Sequence, residues 1–414
     1  MKEQILTHLN QPAQLEQLYR KDKTGFKRAF NSVYPEIKDS TLAGYWNERL
    51  NFTSDEISWG TRSDLIFVII ASIIAGTIAK LPALFSINED FFYPRNIGFI
   101  VFPILMVYFA WKNKLSVPKV TFLAVATLAG LIFINMLPDV KQSDTLILSC
   151  AHLVLFLWGG LGLAFVGGTQ NDNEKRLGFL KYNGDLVVMT TLILIAGGIM
   201  SAVTIGLFSL IGYDIAETYM QNVGAFGAAA APVVATYLIQ TNPQLVGKVS
   251  PVIAKIFSPL VLVMLIVYIV AIMYSGKNPY NNREFLLIFN GLLVGVMAII
   301  FFSIAGTPTS AKNRTAMGIL LALSIVTIVV NGIALSAIVF RISEWGMTPN
   351  RAAVLGGNIL ILIHLVLVTG KLFGYMSKKT ELAAVGKTIA WYLPIYCLWA
   401  IIVTFIFPFI FGFK

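Results

Sequence analysis

Eleven apolar stretches follow one another along the chain, at residues 65–85, 97–111, 120–137, 146–166, 186–211, 223–239, 256–274, 285–304, 316–340, 352–373 and 389–411. Most have the ~20 residues that an α-helix needs to cross ~30 Å of hydrocarbon. Without water to bond, such a backbone must satisfy its own N–H and C=O groups, which restricts stretches of this length to helices. Composition agrees: 57% of the residues are hydrophobic and 13% charged, against about 25% charged in an ordinary soluble domain. The expected fold class is all-α, a polytopic transmembrane bundle of about eleven spans over residues 61–414, with a small soluble helical module at residues 1–60.

Loop charges set the orientation. With the N-terminus cytoplasmic, thirteen Lys and Arg fall in inside loops and seven in outside segments. If residues 223–239 fail to cross, the contrast falls to about ten against nine, so eleven spans with the N-terminus inside satisfies the positive-inside rule best. The net charge of +10 arises in these loops, because residues 1–62 hold nine Lys/Arg and eight Asp/Glu. That distribution carries topology and argues against nucleic-acid binding. The first 60 residues lack the pattern of a cleavable signal peptide, so the first span is expected to act as the targeting signal.

Within residues 1–60, Leu15, Leu18 and Tyr19, then Phe26, Phe30, Val33 and Tyr34, then Leu42, Trp46 and Leu50 recur at helical spacing. They predict three short amphipathic helices, with Pro35 ending the second and Asp39 or Ser40 capping the third. A module this small buries little core alone, so packing on the membrane domain or on a cytosolic protein partner is expected. Its near-neutral charge argues against a helix-turn-helix DNA binder.

Chemistry is sparse. Cys150 and Cys397 lie in apolar runs, and the only histidines are His8, His152 and His364. No disulfide framework, zinc cluster or multi-histidine metal site can be assembled from them, and no cofactor is expected. No H-E-x-x-H, G-x-S-x-G or P-loop is present. The stretch KYNGD at 181–185 ends like the motif of intramembrane aspartyl proteases, but Tyr182 replaces its first glycine and no second aspartate lies mid-span. No enzyme class is supported, and a lipid-processing enzyme least of all, since no nucleophile and base can be paired.

Polar side chains inside the bilayer are costly and therefore candidates for function. Lys80, two residues before Pro82, either snorkels to the interface or serves binding or gating. Asn358, His364 and Lys371 share the tenth run, with His364 and Lys371 on one helical face. Asn135, Asn290 and Asn331 read as interhelical glue or as the lining of one pore. Asp64, Asp185 and Glu284 are expected to start spans, and Asp214, Glu217 and Glu344 to lie just outside them. The small-residue stretch GAFGAAAAP at 224–232 suits either a closely packed span or a re-entrant segment. No internal repeat supports an inverted-repeat transporter.

The sharpest local signal is WGMTPNR at 345–351, between the ninth and tenth runs. Thr348 fits an N-cap, Pro349 the first helical position and Arg351 the third. A cation there opposes the helix dipole. Glu344, alongside Arg341, or a lipid phosphate is expected to compensate it, as an ion-paired clamp or an anion and headgroup site. Trp345, Gly346, Met347, Thr348 and Arg351 resemble the block found before a late membrane helix in a family of bacterial polytopic membrane proteins, domain of unknown function four-one-five-three. That family usually has tyrosine where this chain has Trp345. The resemblance implies a multi-pass protein of the bacterial cytoplasmic membrane and carries no assigned reaction. The expected function is transport or channel activity, with a pathway drawn from the sixth and tenth runs. The alternative is a membrane scaffold or sensor that engages its partner through residues 1–60, and either is compatible with a homo-oligomer.

Overall fold

The computed structural model describes residues 2–51, 60–140, 143–167, 172–210, 213–243, 257–267, 269–270, 283–307 and 314–414. Among them it contains helices and turns and no strand. The chain divides into two compact units, Met1–Ser58 and Trp59–Lys414.

The first unit has four α-helices where the spacing predicts three: α1 (Lys2–Thr7), α2 (Pro12–Lys21), α3 (Lys23–Val33) and α4 (Thr41–Asn51). A 3-10 turn at Tyr34–Glu36 holds Pro35. The extra helix places Ile5 in a shared core with Leu15, Phe26, Phe30, Trp46 and Leu50. Asp22 begins α3 by accepting from Gly25 N at 2.8 Å, and Ser40 Oγ accepts from Ala43 N at 3.4 Å to begin α4. The Trp46 ring meets Phe26 at 5.1 Å and Tyr19 at 5.6 Å, so the unit has an aromatic centre of its own.

Glu16 ties this unit together from outside, bonding Arg20 on its own helix at 2.9 Å and Arg49 of α4 at 3.0 Å. The bond from Arg20, followed by the field and bond of Arg49, holds the Glu16 carboxyl below the usual carboxylate range. A depressed folded pKa contributes stability above the unfolded pKa and loses it as pH falls through the folded value. Glu16→Gln is therefore expected to speed proteolysis of this unit at pH 7. The difference from wild type should begin to shrink below the unfolded pKa of about 4.3 and vanish only once pH falls below the depressed folded value, where the carboxyl is protonated in both states.

In the second unit, nine helices among the described residues are long and apolar enough to cross a membrane. They are α5 (Arg62–Phe85), α6 (Glu89–Lys112), α7 (Val117–Met136), α8 (Asp144–Val166), α9 (Asn173–Leu210), α10 (Ala216–Thr241), α13 (Arg314–Trp345), α14 (Pro349–Met376) and α15 (Leu382–Ile410). The seventh and eighth runs contain the shorter apolar stretches α11 (Phe257–Val267) and Asn290–Ala305, the latter inside α12 (Arg283–Ala305). Residues 256, 268 and 271–274 of the seventh run, and the loop cations Lys141, Lys248, Lys255, Lys277 and Lys312, lie outside the described residues.

Local chemistry starts these helices. Thr61 and Asp64 form a reciprocal capping box on α5, Asn88 accepts from Asp90 N at 2.8 Å to begin α6, and Ser143 accepts from Leu146 N at 3.2 Å to begin α8. Asp64 also pairs with Lys112 at the end of α6, which ties one helix start to the next helix end.

Two apolar cores result. One gathers α5 to α8, α10 and the early part of α9; the other gathers α12 to α15. The small-residue run is part of a single crossing-length helix, α10, rather than a re-entrant hairpin. It lies along α5 so closely that a Cβ on Gly76 would enter the Phe226 ring. The sixth run thus belongs to the first core and the tenth to the second, so the structure separates the two runs expected to line one pathway.

Within the first core, Asn96 and Asn135 bond reciprocally at 3.0 and 2.8 Å between α6 and α7. A double-mutant cycle to leucine should find coupling of about 1 kcal/mol, the usual worth of an interhelical amide pair in a membrane protein.

Asp185 departs from expectation. The sequence places it at the start of a span, yet the helix begins at Asn173, and Asp185 is 5% exposed, ~18 Å along α9. The preceding turns carry Lys175, Arg176 and Lys181 but also bury Phe179, Leu180 and Tyr182, so helix continues well ahead of the apolar run.

Candidate functional site

The turn before α14 forms as its residues dictate. Gly346 takes φ +75°, a left-handed conformation natural to glycine, and closes the end of α13. Thr348 Oγ1 then accepts from Arg351 N at 3.3 Å, with Pro349 in the first helical position. The Arg351 guanidinium folds back over this turn. Its Nη1 donates to the carbonyls of Trp345 at 2.8 Å and of Gly346, and its plane lies 5.8 Å from the Trp345 ring centre.

The partner of Arg351 is therefore not Glu344, which is exposed, and Arg351 has no ion pair among the described residues. The last carbonyls of α13 are unsatisfied within their own helix and carry the negative end of its dipole, so they can take the place of a carboxylate. Arg341 approaches the same Trp345 ring at 5.4 Å. Arg341, Trp345, Thr348 and Arg351 are thus brought together, with Glu344 at the edge.

Deeper along α14 the side chains turn inward. Asn358 Nδ2 donates to Asn290 Oδ1 of α12 at 2.9 Å, and Asn331 Nδ2 of α13 donates to the Asn358 carbonyl at 3.2 Å. Six residues on, ~9 Å along the helix, His364 Nδ1 lies 3.0 Å from the Tyr396 hydroxyl of α15. That hydroxyl donates to Met297 Sδ of α12 at 3.3 Å. Tyr392 stacks on the imidazole at 4.3 Å and Phe301 tilts against it at 4.6 Å. Asn290 and Met297 advance along α12 as Asn358 and His364 advance along α14, so these helices run parallel.

Which of His364 Nδ1 and the Tyr396 hydroxyl donates depends on the imidazole tautomer, and the same tautomer sets whether Nε2 carries a proton or a lone pair. That Nε2 is buried without a hydrogen-bond partner among the described residues, and so is Asn331 Oδ1. Asn331 Oδ1 is an acceptor, and both residues are wholly buried. An unsatisfied buried acceptor costs about 1–3 kcal/mol. Two unpartnered polar atoms beside one polar seam form a place that attracts a hydrogen-bonding solute.

Other candidates lie elsewhere. Lys371 is exposed and does not join His364; two turns further along, near the end of α14, its long chain reaches outward. Lys80 Nζ donates to Gln221 O at 2.9 Å and Asn222 Oδ1 at 3.1 Å. These acceptors belong to a π-helical turn, Met220–Gly224, at the start of α10, so Lys80 serves the first core and not the seam. Tyr392, Tyr396 and Met297 escaped the sequence reading because aromatics and methionine in an apolar run resemble ordinary lipid-facing or core residues.

Comparison with known proteins finds no matching family model, no matching curated protein and no matching solved structure.

Proposed function

We propose that this is a multi-pass protein of the bacterial cytoplasmic membrane, with about eleven spans and its N-terminus inside, that acts as a transporter or channel rather than an enzyme. The observation that carries this reading is the seam of Asn290, Asn331, Asn358, His364 and Tyr396 inside an apolar bundle, with two buried polar atoms lacking a partner among the described residues. Intramembrane polar groups of this kind mark solute pathways. Because Asn331 Oδ1 is a buried acceptor without a donor among the described residues, the solute class is a small hydrogen-bond donor, neutral or monocationic. The bacterial assignment rests on the resemblance at residues 345–351.

The test is stopped-flow uptake of urea, glycerol and ammonium into liposomes holding the full chain. Flux above empty liposomes that is lost in His364→Leu supports the reading; flux equal to empty liposomes for all three contradicts it. A second reading, a scaffold or sensor, is favoured by the separate core of the N-terminal unit. It requires that deletion of residues 1–58 abolish capture of a cytosolic partner in the absence of any flux.

A further inference from the structure

A second feature faces lipid rather than the bundle interior. A groove of about 340 Å³ lies between α7, α8, the start of α9 and α15, and its lining is almost entirely apolar. Gly159 and Gly160 of α8 form its floor: a Cβ on Gly159 would lie 2.9 Å from Cys397 Sγ, and one on Gly160 2.8 Å from Met106 Cε. The absent side chains let Cys397 and Met106 approach the α8 backbone directly and keep any β-carbon out of the groove floor. Phe122 and Leu163 on its rim are 62% and 52% exposed, so the groove opens sideways to the bilayer.

Its dimensions and polarity both point to one kind of occupant. Along α8 the lining runs from Phe156 to Val166, ~15 Å of helix, which is half of a ~30 Å hydrocarbon core and so the depth of one leaflet. The polar end of the groove carries Arg176, in the first turns of α9. Its neighbour Lys175 is paired with Asp172 at 3.6 Å. The Arg176 guanidinium has no hydrogen bond or ion pair among the described residues. A cation at interface depth beside a leaflet-deep apolar slot is complementary to a phosphate joined to an acyl chain.

We propose that this groove is a binding site for an anionic phospholipid, with one acyl chain lying between Ala126 of α7 and Gly160 of α8 and the phosphate held by Arg176. The site faces the leaflet on the side of the α9 N-terminus and is separate from the polar seam, so it stands whether or not the protein conducts solutes.

The full chain, purified in detergent, is titrated with phosphatidylglycerol and with phosphatidylcholine of identical acyl chains, and retained lipid is read by native mass spectrometry. Wild type should prefer phosphatidylglycerol by about fivefold, the worth of one basic side chain near an anionic headgroup. Arg176→Gln should erase that preference by weakening phosphatidylglycerol alone, and Ala126→Trp, which fills the slot, should weaken both lipids. Equal binding of the two lipids by wild type, a preference that survives Arg176→Gln, or full binding of both by Ala126→Trp would each overturn the proposal. If the tryptophan variant does not fold, the Arg176→Gln comparison decides alone, because that change lies at a helix start and leaves the groove's packing intact.

Discussion

Liposomes carrying His364→Leu are expected to show no solute flux above background, although the variant unfolds no earlier than wild type. The two outcomes belong together. Leucine matches much of the imidazole's volume, so the pocket between Tyr392 and Phe301 stays filled. The change also removes a buried Nε2 that has no partner among the described residues, and Tyr396 keeps Met297 Sδ as its acceptor. Eliminating an unsatisfied buried polar atom is neutral or stabilising by about 1 kcal/mol. A residue kept only for packing would show the reverse, intact activity with lower stability. Thermal unfolding in detergent, run beside the flux assay, separates the two. His364→Ala is the control for volume, since it opens a cavity and should cost about 2–3 kcal/mol whatever the imidazole does.

The second large effect is expected at Arg351. One guanidinium nitrogen serves two carbonyls while the plane rests against Trp345. Hydrogen bonds to a charged group are each worth about 1.5–3 kcal/mol. Arg351→Ala, which leaves both carbonyls without their donor, should lower stability by about 2–3 kcal/mol after relaxation of the turn and shift the fluorescence of Trp345. Arg351→Lys should recover only part of this, because an ammonium lacks the planar fork and the stacking surface. Glu344→Gln should change nothing, since that side chain is exposed and outside the clamp. A stability loss in Glu344→Gln equal to that in Arg351→Ala would restore the ion pair that the sequence suggests.

What could be read from sequence follows from how local each determinant is. Nine of the eleven expected spans are crossing-length helices among the described residues, and these were legible because apolar length alone decides whether a helix can cross. The α14 start was legible because Thr348, Pro349 and Gly346 obey rules confined to one turn. The partner of Arg351 was not, because backbone carbonyls five and six residues back are identical in every sequence and become acceptors only once the turn closes. The bond between Asn290 and Asn358 joins residues 68 apart and depends on helix register, which hydropathy does not encode. Asp185 was misplaced for a related reason: hydropathy finds the hydrocarbon-facing part of a helix, and α9 begins thirteen residues earlier than its run. Separation of the sixth and tenth runs into different cores is likewise a matter of packing between helices.

The claim beneath the transport reading is that water or solute reaches a seam enclosed by α12, α13, α14 and α15. Hydroxyl-radical footprinting of the protein in liposomes tests this directly, because Met297 and Tyr396 are reactive side chains sitting on the seam itself. The account predicts oxidation of both at rates well above that of Met317, which is buried in the same core fourteen residues before Asn331 on α13. Met297 and Tyr396 as unreactive as Met317 would contradict it.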